Sequence, residues 1–228
     1  MPKMDVNVWF RKALHPDYPK ETTSLRLEKD KSALIIVDMQ NMFVHPKGTF
    51  GSRGIDVSGA GRLVKPISDM AGAFRIKHRP VIYARHTFRP NFPDRSRMYV
   101  ELMYARQGKE PTGILLRDSW ESAIVDELTP LPDDILIDAK HLFSCFHQTD
   151  MEMVLRNLGI ENLFFTGVTT SICVETSIRD AFHRDFRCIL VDDGTWEKVP
   201  EMGAASKKVI AMHFGYLTSS QDVLRALT

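Results

Sequence analysis

Ala33-Leu34-Ile35-Ile36-Val37-Asp38 is a run of five apolar residues closed by a carboxylate. A strand with one wet face alternates apolar and polar residues, so an unbroken run reads as a strand covered on both faces, as in a parallel sheet. The pattern recurs at Pro80-Val81-Ile82-Tyr83-Ala84, Ile135-Leu136-Ile137-Asp138, Leu163-Phe164-Phe165-Thr166-Gly167 and Cys188-Ile189-Leu190-Val191-Asp192, with a shorter Tyr216-Leu217-Thr218 near the end. Helical stripes lie between them: Leu63, Ile67, Met70, Ala71 and Phe74 form one, and Met151, Val154, Leu155 and Leu158 another. Thr149 and Glu152 have capping-box spacing before the second stripe, and Gly159 stands where a C-terminal glycine belongs. This alternation predicts an α/β fold, a single-domain, doubly wound, mostly parallel six-stranded sheet flanked by helices. Ligands of such sheets bind at the carboxyl ends of the strands.

The 228 residues suit one core. Residues 1–31, with Pro2, Pro16 and Pro19 among many charges, read as an N-terminal arm lying over the domain or against a neighbouring subunit, and residues 32–228 as the domain. Thirty basic against 29 acidic residues leave a net charge of +1, which gives no broad footprint for nucleic acid or an anionic membrane. The expected partner is a small molecule. Cys145, Cys173 and Cys188 are odd in number and lack paired-knuckle spacing, so neither a disulfide framework nor a structural zinc is expected. No apolar run approaches the roughly 18 residues of a membrane span, and a soluble, cytoplasmic protein is expected. The stretch from His86 to about Asp118 has no clear periodicity and reads as a lid or binding loop, or equally as a solvated insertion or subunit contact.

Three residues stand out at strand ends. Asp38 closes the first strand, a place where an aspartate also commonly caps a turn. The following Met39-Gln40-Asn41-Met42-Phe43 lacks the glycines of a dinucleotide loop. Lys140 follows the third strand and leads into the aromatic-rich His141-Leu142-Phe143-Ser144-Cys145-Phe146-His147; a cation in such surroundings needs a carboxylate, and Asp38 is available. Cys173 lies in the first turn of a helix whose core stripe is Val174, Ile178, Ala181 and Phe182. A thiol there feels the positive helix end, which favours thiolate, and free backbone N–H groups of the same turn suit an oxyanion. A buried cysteine can also be a small hydrophobe, the reading that fits Cys145 and Cys188.

Three blocks in order, Ala33 to Phe43, Lys140 to Asp150 and Gly167 to Ala181, resemble the isochorismatase-like cysteine hydrolase family over nearly the whole chain after residue 31. The resemblance implies a catalytic triad of Asp38, Lys140 and Cys173, and a cis peptide before Thr169 that turns the Thr169 and Cys173 amides toward the substrate oxygen. Members that cleave a vinyl ether lack the cysteine, so Cys173 points to the amidohydrolase branch. Metal-binding members carry an Asp-x-His and a further His after the second strand; here His86 stands without that carboxylate, reads as a satisfied surface residue, and neither metal nor cofactor is expected. The second and third blocks look most like ureidoacrylate-hydrolysing members, whereas Arg89-Pro90 with Asp94 looks like biuret-hydrolysing ones, which place a glutamine near the position of His213.

The implied function is cysteine-dependent cleavage of a small linear amide, carbamoyl or ureido compound resembling ureidoacrylate, biuret or triuret, with a thioester intermediate and release of ammonia. Phe43 and Phe146 are candidate pocket walls or ordinary core aromatics, Arg89 the first candidate anchor, Arg85 the second, and His213 a further pocket position. A maleamate-like amide or ester hydrolase, and a non-catalytic small-molecule binder, are the alternatives. A homo-oligomer, dimer or tetramer, is expected.

Overall fold

The computed structural model describes residues 3–9, 22–108 and 115–228. Eight strands form one sheet in the order β2-β1-β8-β7-β6-β3-β4-β5, with β1 Lys3–Trp9, β2 Thr22–Glu28, β3 Ser32–Val37, β4 Val81–His86, β5 Ile135–Lys140, β6 Asn162–Val168, β7 Arg187–Trp196 and β8 Tyr216–Thr218. The six strands expected from apolar runs are the parallel ones, β3 to β8.

Both faces of β3 are covered, which is why its sequence does not alternate. Leu34 and Ile36 pack under helix α1 (Val64–Ile76) through Ile67, Met70 and Phe74, with α6 (Ser220–Leu227) alongside. Ala33, Ile35 and Val37 face the opposite layer, built by α3 (Met151–Asn157) and α4 (Glu175–Phe182) through Met151, Leu155 and Ile178. Helices α2 (Arg97–Gln107) and α5 (Pro200–Val209) complete the labelled set.

Two readings need correction. The described part of residues 1–31 is not an arm over the domain: β1 and β2 extend the sheet as an antiparallel pair, with β1 also bridging to β8. Met4, Val6 and Val8 are buried while the intervening residues are exposed, the period of two that a strand requires. Pro2, Pro16 and Pro19 lie outside the described residues. The second correction is α2, inside the stretch read as aperiodic. Ser96 caps it by accepting from the Tyr99 N–H at 3.3 Å, and Gly108, at φ 66°, ends it. Its outer side leaves Met98, Leu102 and Tyr104 exposed, so no polar-against-apolar stripe advertises it.

Candidate active site

Strand register gathers the site. Val37 pairs with Ala84 on one side and Gly167 on the other, and His86 pairs with Lys140. The carboxyl ends of β3, β4, β5 and β6 therefore form one edge. Gly167 is required there: at φ 105°, an added Cβ would stand 2.0 Å from the Val37 carbonyl oxygen. Immediately past β3, Asp38 takes a left-handed conformation (φ 51°), with its N–H donating to the Ala84 carbonyl at 2.9 Å. Gln40 holds the turn by donating through Nε2 to the carbonyls of His86 (2.9 Å) and Ser122 (2.8 Å), while its Oε1 accepts from the His86 N–H.

Lys140 joins Asp38 and Cys173. Its Nζ lies 2.6 Å from Asp38 Oδ2 and 3.5 Å from Cys173 Sγ. Relative exposures are 1% for Asp38, 0% for Lys140 and 7% for Cys173, so their charges interact with little screening. Burial pulls the ammonium of Lys140 down, but Asp38 and the cysteines outweigh it and hold Lys140 above the ordinary lysine value. Burial pushes the proton affinity of Asp38 up, against the pull of Lys140. The outcome is a carboxylate–ammonium pair whose carboxylate is more basic than an exposed one. Asp38 Oδ1 has no hydrogen-bond partner among the described residues and is the oxygen available to a proton.

The turn that carries Cys173 is held from two sides. Residues Thr170–Val174 form a π-helical turn before α4, entered through a cis Val168–Thr169 peptide. Ser177 donates to the Cys173 carbonyl at 2.6 Å and accepts from the Cys145 N–H at 3.0 Å, tying the turn to the loop after Lys140. From the end of β7, Thr195 donates to the Gly167 carbonyl (2.9 Å), and Glu197 accepts from the backbone and hydroxyl of Ser171 (2.9 and 2.7 Å). The expected thiolate-favouring environment is not what surrounds Cys173. Burial pushes the thiol well above its ordinary value despite Lys140, because removal from water penalises the anion more than one ammonium compensates. This environment favours the thiol over the thiolate. Burial likewise lifts Cys145 and Cys188 to about 12.

Cys173 and Thr169 open onto a cavity of 280 Å³. Phe43 lines it; Arg89, Arg85, Phe146 and His213 do not. Arg89 is exposed because the buried Phe88 beside it faces inward; its N–H donates to the Asp94 carboxylate. Arg85 is committed to Asp138 at 2.6 Å. Phe146 packs on Phe186 in the core, since the loop turns back through Cys145 to Ser177. His213 belongs to a different groove, with Phe182 and Phe186. Sequence reasoning missed Arg95, Tyr99 and the position of His86. Arg95 reaches the cavity because left-handed turns at Asn91 and Phe92 reverse the chain, and its guanidinium lies over Phe92 (3.4 Å) and Phe88 (4.9 Å). Tyr99 enters from α2. His86 is buried rather than at the surface; Nε2 is 3.2 Å from the His141 carbonyl, and burial, then Lys140, push its pKa well below the ordinary value. Among the described residues no group of three or more His, Cys, Asp or Glu side chains is placed to hold a metal ion. No helix among them is long and apolar enough to cross a membrane.

The isochorismatase domain model matches residues 32–222. The ureidoacrylate amidohydrolase RutB of Pseudomonas syringae pv. syringae (strain B728a) is 32% identical over 215 residues, 90% of this chain and 87% of that protein. That of Rhizobium rhizogenes (strain K84 / ATCC BAA-868) is 33% identical over 214 residues, 90% of this chain and 86% of the relative. Among solved structures, a cysteine hydrolase from Pseudomonas syringae pv. phaseolicola 1448A superposes with a TM-score of 0.77 at 30% identity, covering 88% of this chain and 94% of the other. The N-carbamoylsarcosine amidase from Thermoplasma acidophilum does so at 0.66 and 26%, covering 83% and 96%. A doubly wound sheet with a cavity at its carboxyl edge is the α/β architecture that binds small ligands there, and the relatives make the chain a hydrolase. The chain belongs to the isochorismatase domain family.

Proposed function

We propose that this hydrolase is a cysteine-dependent amidohydrolase that cleaves the C–N bond of a small linear amide, carbamoyl or ureido compound and releases ammonia. The observation that carries the reading is Lys140 standing between Asp38 and Cys173 beside the cavity. The names of the relatives, ureidoacrylate amidohydrolase and N-carbamoylsarcosine amidase, support the same bond type.

In this mechanism Asp38 takes the thiol proton as Cys173 Sγ attacks the carbonyl carbon, so a thiolate need not accumulate in the buried site. The S–C bond forms, and the oxyanion meets the Thr169 and Cys173 amides, two residues that line the cavity. Collapse breaks the C–N bond, and the proton on Asp38 passes to the departing nitrogen as ammonia. Water then attacks the thioester, Asp38 accepts its proton, and the S–C bond breaks with return of that proton to sulfur. Lys140 stays charged throughout and keeps Asp38 ionised between proton transfers. Three free, buried cysteines suit a reducing cytoplasm.

Ammonia release from ureidoacrylate, biuret, triuret and maleamate tests the reading. Cys173→Ser and Cys173→Ala are expected to abolish turnover with the fold intact, while Cys145→Ala and Cys188→Ala stay active. A Cys173→Ala protein with full activity ends the covalent mechanism.

A further inference from the structure

A buried carboxylate beside the turn that carries Cys173 has no part in the proton transfers proposed above. Glu197 directly follows β7, whose Trp196 pairs with Val168, so strand register sets Glu197 alongside Thr169. Glu197 does not line the cavity, although Thr169, Ile172, Cys173 and Lys198 do. Its Oε2 accepts from both the N–H (2.9 Å) and the hydroxyl (2.7 Å) of Ser171, and its Oε1 accepts from the Lys198 N–H at 3.0 Å. Burying a carboxylate is unfavourable unless such bonds satisfy it, and bonds to an ionised acceptor are roughly twice as strong as neutral ones. The side chain is also held in place from behind. At Gly203 of α5 an added Cβ would stand 2.8 Å from the Glu197 Cβ, so the helix backbone closes directly over it.

The hydrogen bonds of the turn show what this grip controls. The N–H groups of Ile172 and Val174, on either side of Cys173, both go to the Thr169 carbonyl at 3.3 and 3.2 Å. The Thr170 carbonyl accepts from the Ser206 hydroxyl of α5 at 3.3 Å, and the Thr170 and Thr195 hydroxyls meet at 2.9 Å. Ser177 grips the Cys173 carbonyl from α4, the helix that continues the turn, and so moves with it. Glu197 is the charged link between this turn and the end of β7. It takes hold two residues before Cys173 and two after Thr169, the residues whose amides meet the oxyanion in the proposed mechanism.

We propose that Glu197 is a positioning residue: acting through Ser171, it fixes the direction in which the Thr169 and Cys173 amides face the developing oxyanion. This deepens the proposed mechanism and rests on it for Cys173 as the nucleophile, but its effect is measurable without an amide substrate.

p-Nitrophenyl acetate and iodoacetamide, each used on the full chain, test it. Acylation by the ester forms an S–C bond through a tetrahedral oxyanion and expels p-nitrophenolate, with the thiol proton passing to Asp38. Alkylation by iodoacetamide displaces iodide at a saturated carbon and raises no oxyanion. The ratio of the two rates at Cys173, with the Cys173→Ala background subtracted, therefore reports the amides rather than the accessibility of the thiol. Glu197→Ala is expected to lower the ratio at least about tenfold, since small misplacements and lost oxyanion donors cost that much or more. Glu197→Gln keeps an acceptor for Ser171 without the charge and should lower it about twofold to fivefold. A merely structural role would move both rates together and speed alkylation of Cys145 and Cys188 as well. An unchanged ratio in either variant, a ratio for Glu197→Gln no higher than that for Glu197→Ala, or a Cys173 that is alkylated but never acylated in the unmodified enzyme overturns the proposal. Where Glu197→Ala does not fold, Glu197→Gln decides alone: a ratio equal to that of the unmodified enzyme overturns it. Ammonia release from ureidoacrylate, biuret, triuret and maleamate is scored separately. Turnover with an unchanged ratio retains the amidohydrolase reading and sinks the inference, whereas the lowered ratio without turnover of any of the four does the reverse.

Discussion

Gln40 and His86 exchange hydrogen bonds at 2.9 Å, side-chain amide to backbone carbonyl in one direction and backbone N–H to side-chain oxygen in the other. The exchange fixes the chain just after Asp38 against the end of β4, and the second Gln40 amide hydrogen reaches the Ser122 carbonyl. Gln40→Ala would leave three buried backbone groups unpaired and is expected to cost about 3 kcal/mol, given 1–3 kcal/mol for each unsatisfied group and partial relief by water. Urea unfolding measures the loss. Turnover should fall with it, since Asp38 loses its support; an unchanged midpoint and rate would show that the exchange positions nothing.

The Asp38–Lys140 pair separates catalysis from stability. Removing one partner of a buried ion pair commonly costs about 3–5 kcal/mol, whereas replacing both with uncharged groups is close to neutral. Asp38→Asn and Lys140→Met should each lower the melting temperature, and the double variant should recover most of it without regaining activity. Ammonia release from the double variant above the single-variant level would contradict a shared role in one proton transfer. Additive stability losses would contradict the ion pair.

Gly167→Ala should be among the most damaging single substitutions outside Asp38, Lys140 and Cys173. Its Cβ would meet the Val37 carbonyl carbon and nitrogen at 2.7 Å as well as the oxygen at 2.0 Å, all backbone atoms of the central strand, at a φ that alanine rarely adopts. A loss above about 4 kcal/mol is expected, from strain and a broken strand register together. Wild-type yield and melting behaviour would refute the close approach.

His86 makes stability depend on acid. Its folded value is depressed, so the unfolded chain binds its proton first as pH falls below about 6.5, the ordinary histidine value. Stability present above that pH is therefore lost progressively below it. The slope of unfolding free energy between pH 6.5 and 5 should flatten in His86→Gln, which cannot gain that proton; identical slopes would remove His86 as the cause.

The upward shift of Asp38 has a kinetic counterpart. With the carboxyl raised above the ordinary aspartate value, protonation would disable the proposed base Asp38 at a higher pH than an exposed aspartate would allow. The acid limb of kcat/KM should accordingly lie above the ordinary aspartate value. A limb at the ordinary aspartate value would show that Lys140 fully offsets burial.

The parallel core and the positions of Asp38, Lys140 and Cys173 near one sheet edge were legible in the chain because each rests on local, strongly constrained patterns. Residues 33–37 are apolar without alternation because both sheet faces are covered, and Asp38 directly follows β3, Lys140 ends β5 and Cys173 lies in the turn after β6. The alternation of Met4, Val6 and Val8 was equally present, but its charged neighbours obscured it. The substrate wall was different. Arg89 and Arg95 are six positions apart in one basic loop, and only the reversal at Asn91 and Phe92 decides that the second faces the cavity. Phe43 and Phe146 are both aromatics following a strand end, yet one lines the cavity and the other packs on Phe186. Whether the environment of Cys173 favours thiol or thiolate depends on how much water burial removes against how close one ammonium comes, and both are properties of the folded packing. Strand periodicity is a property of neighbours in the chain, whereas side-chain direction in loops and desolvation in a cavity arise from residues that meet only after folding.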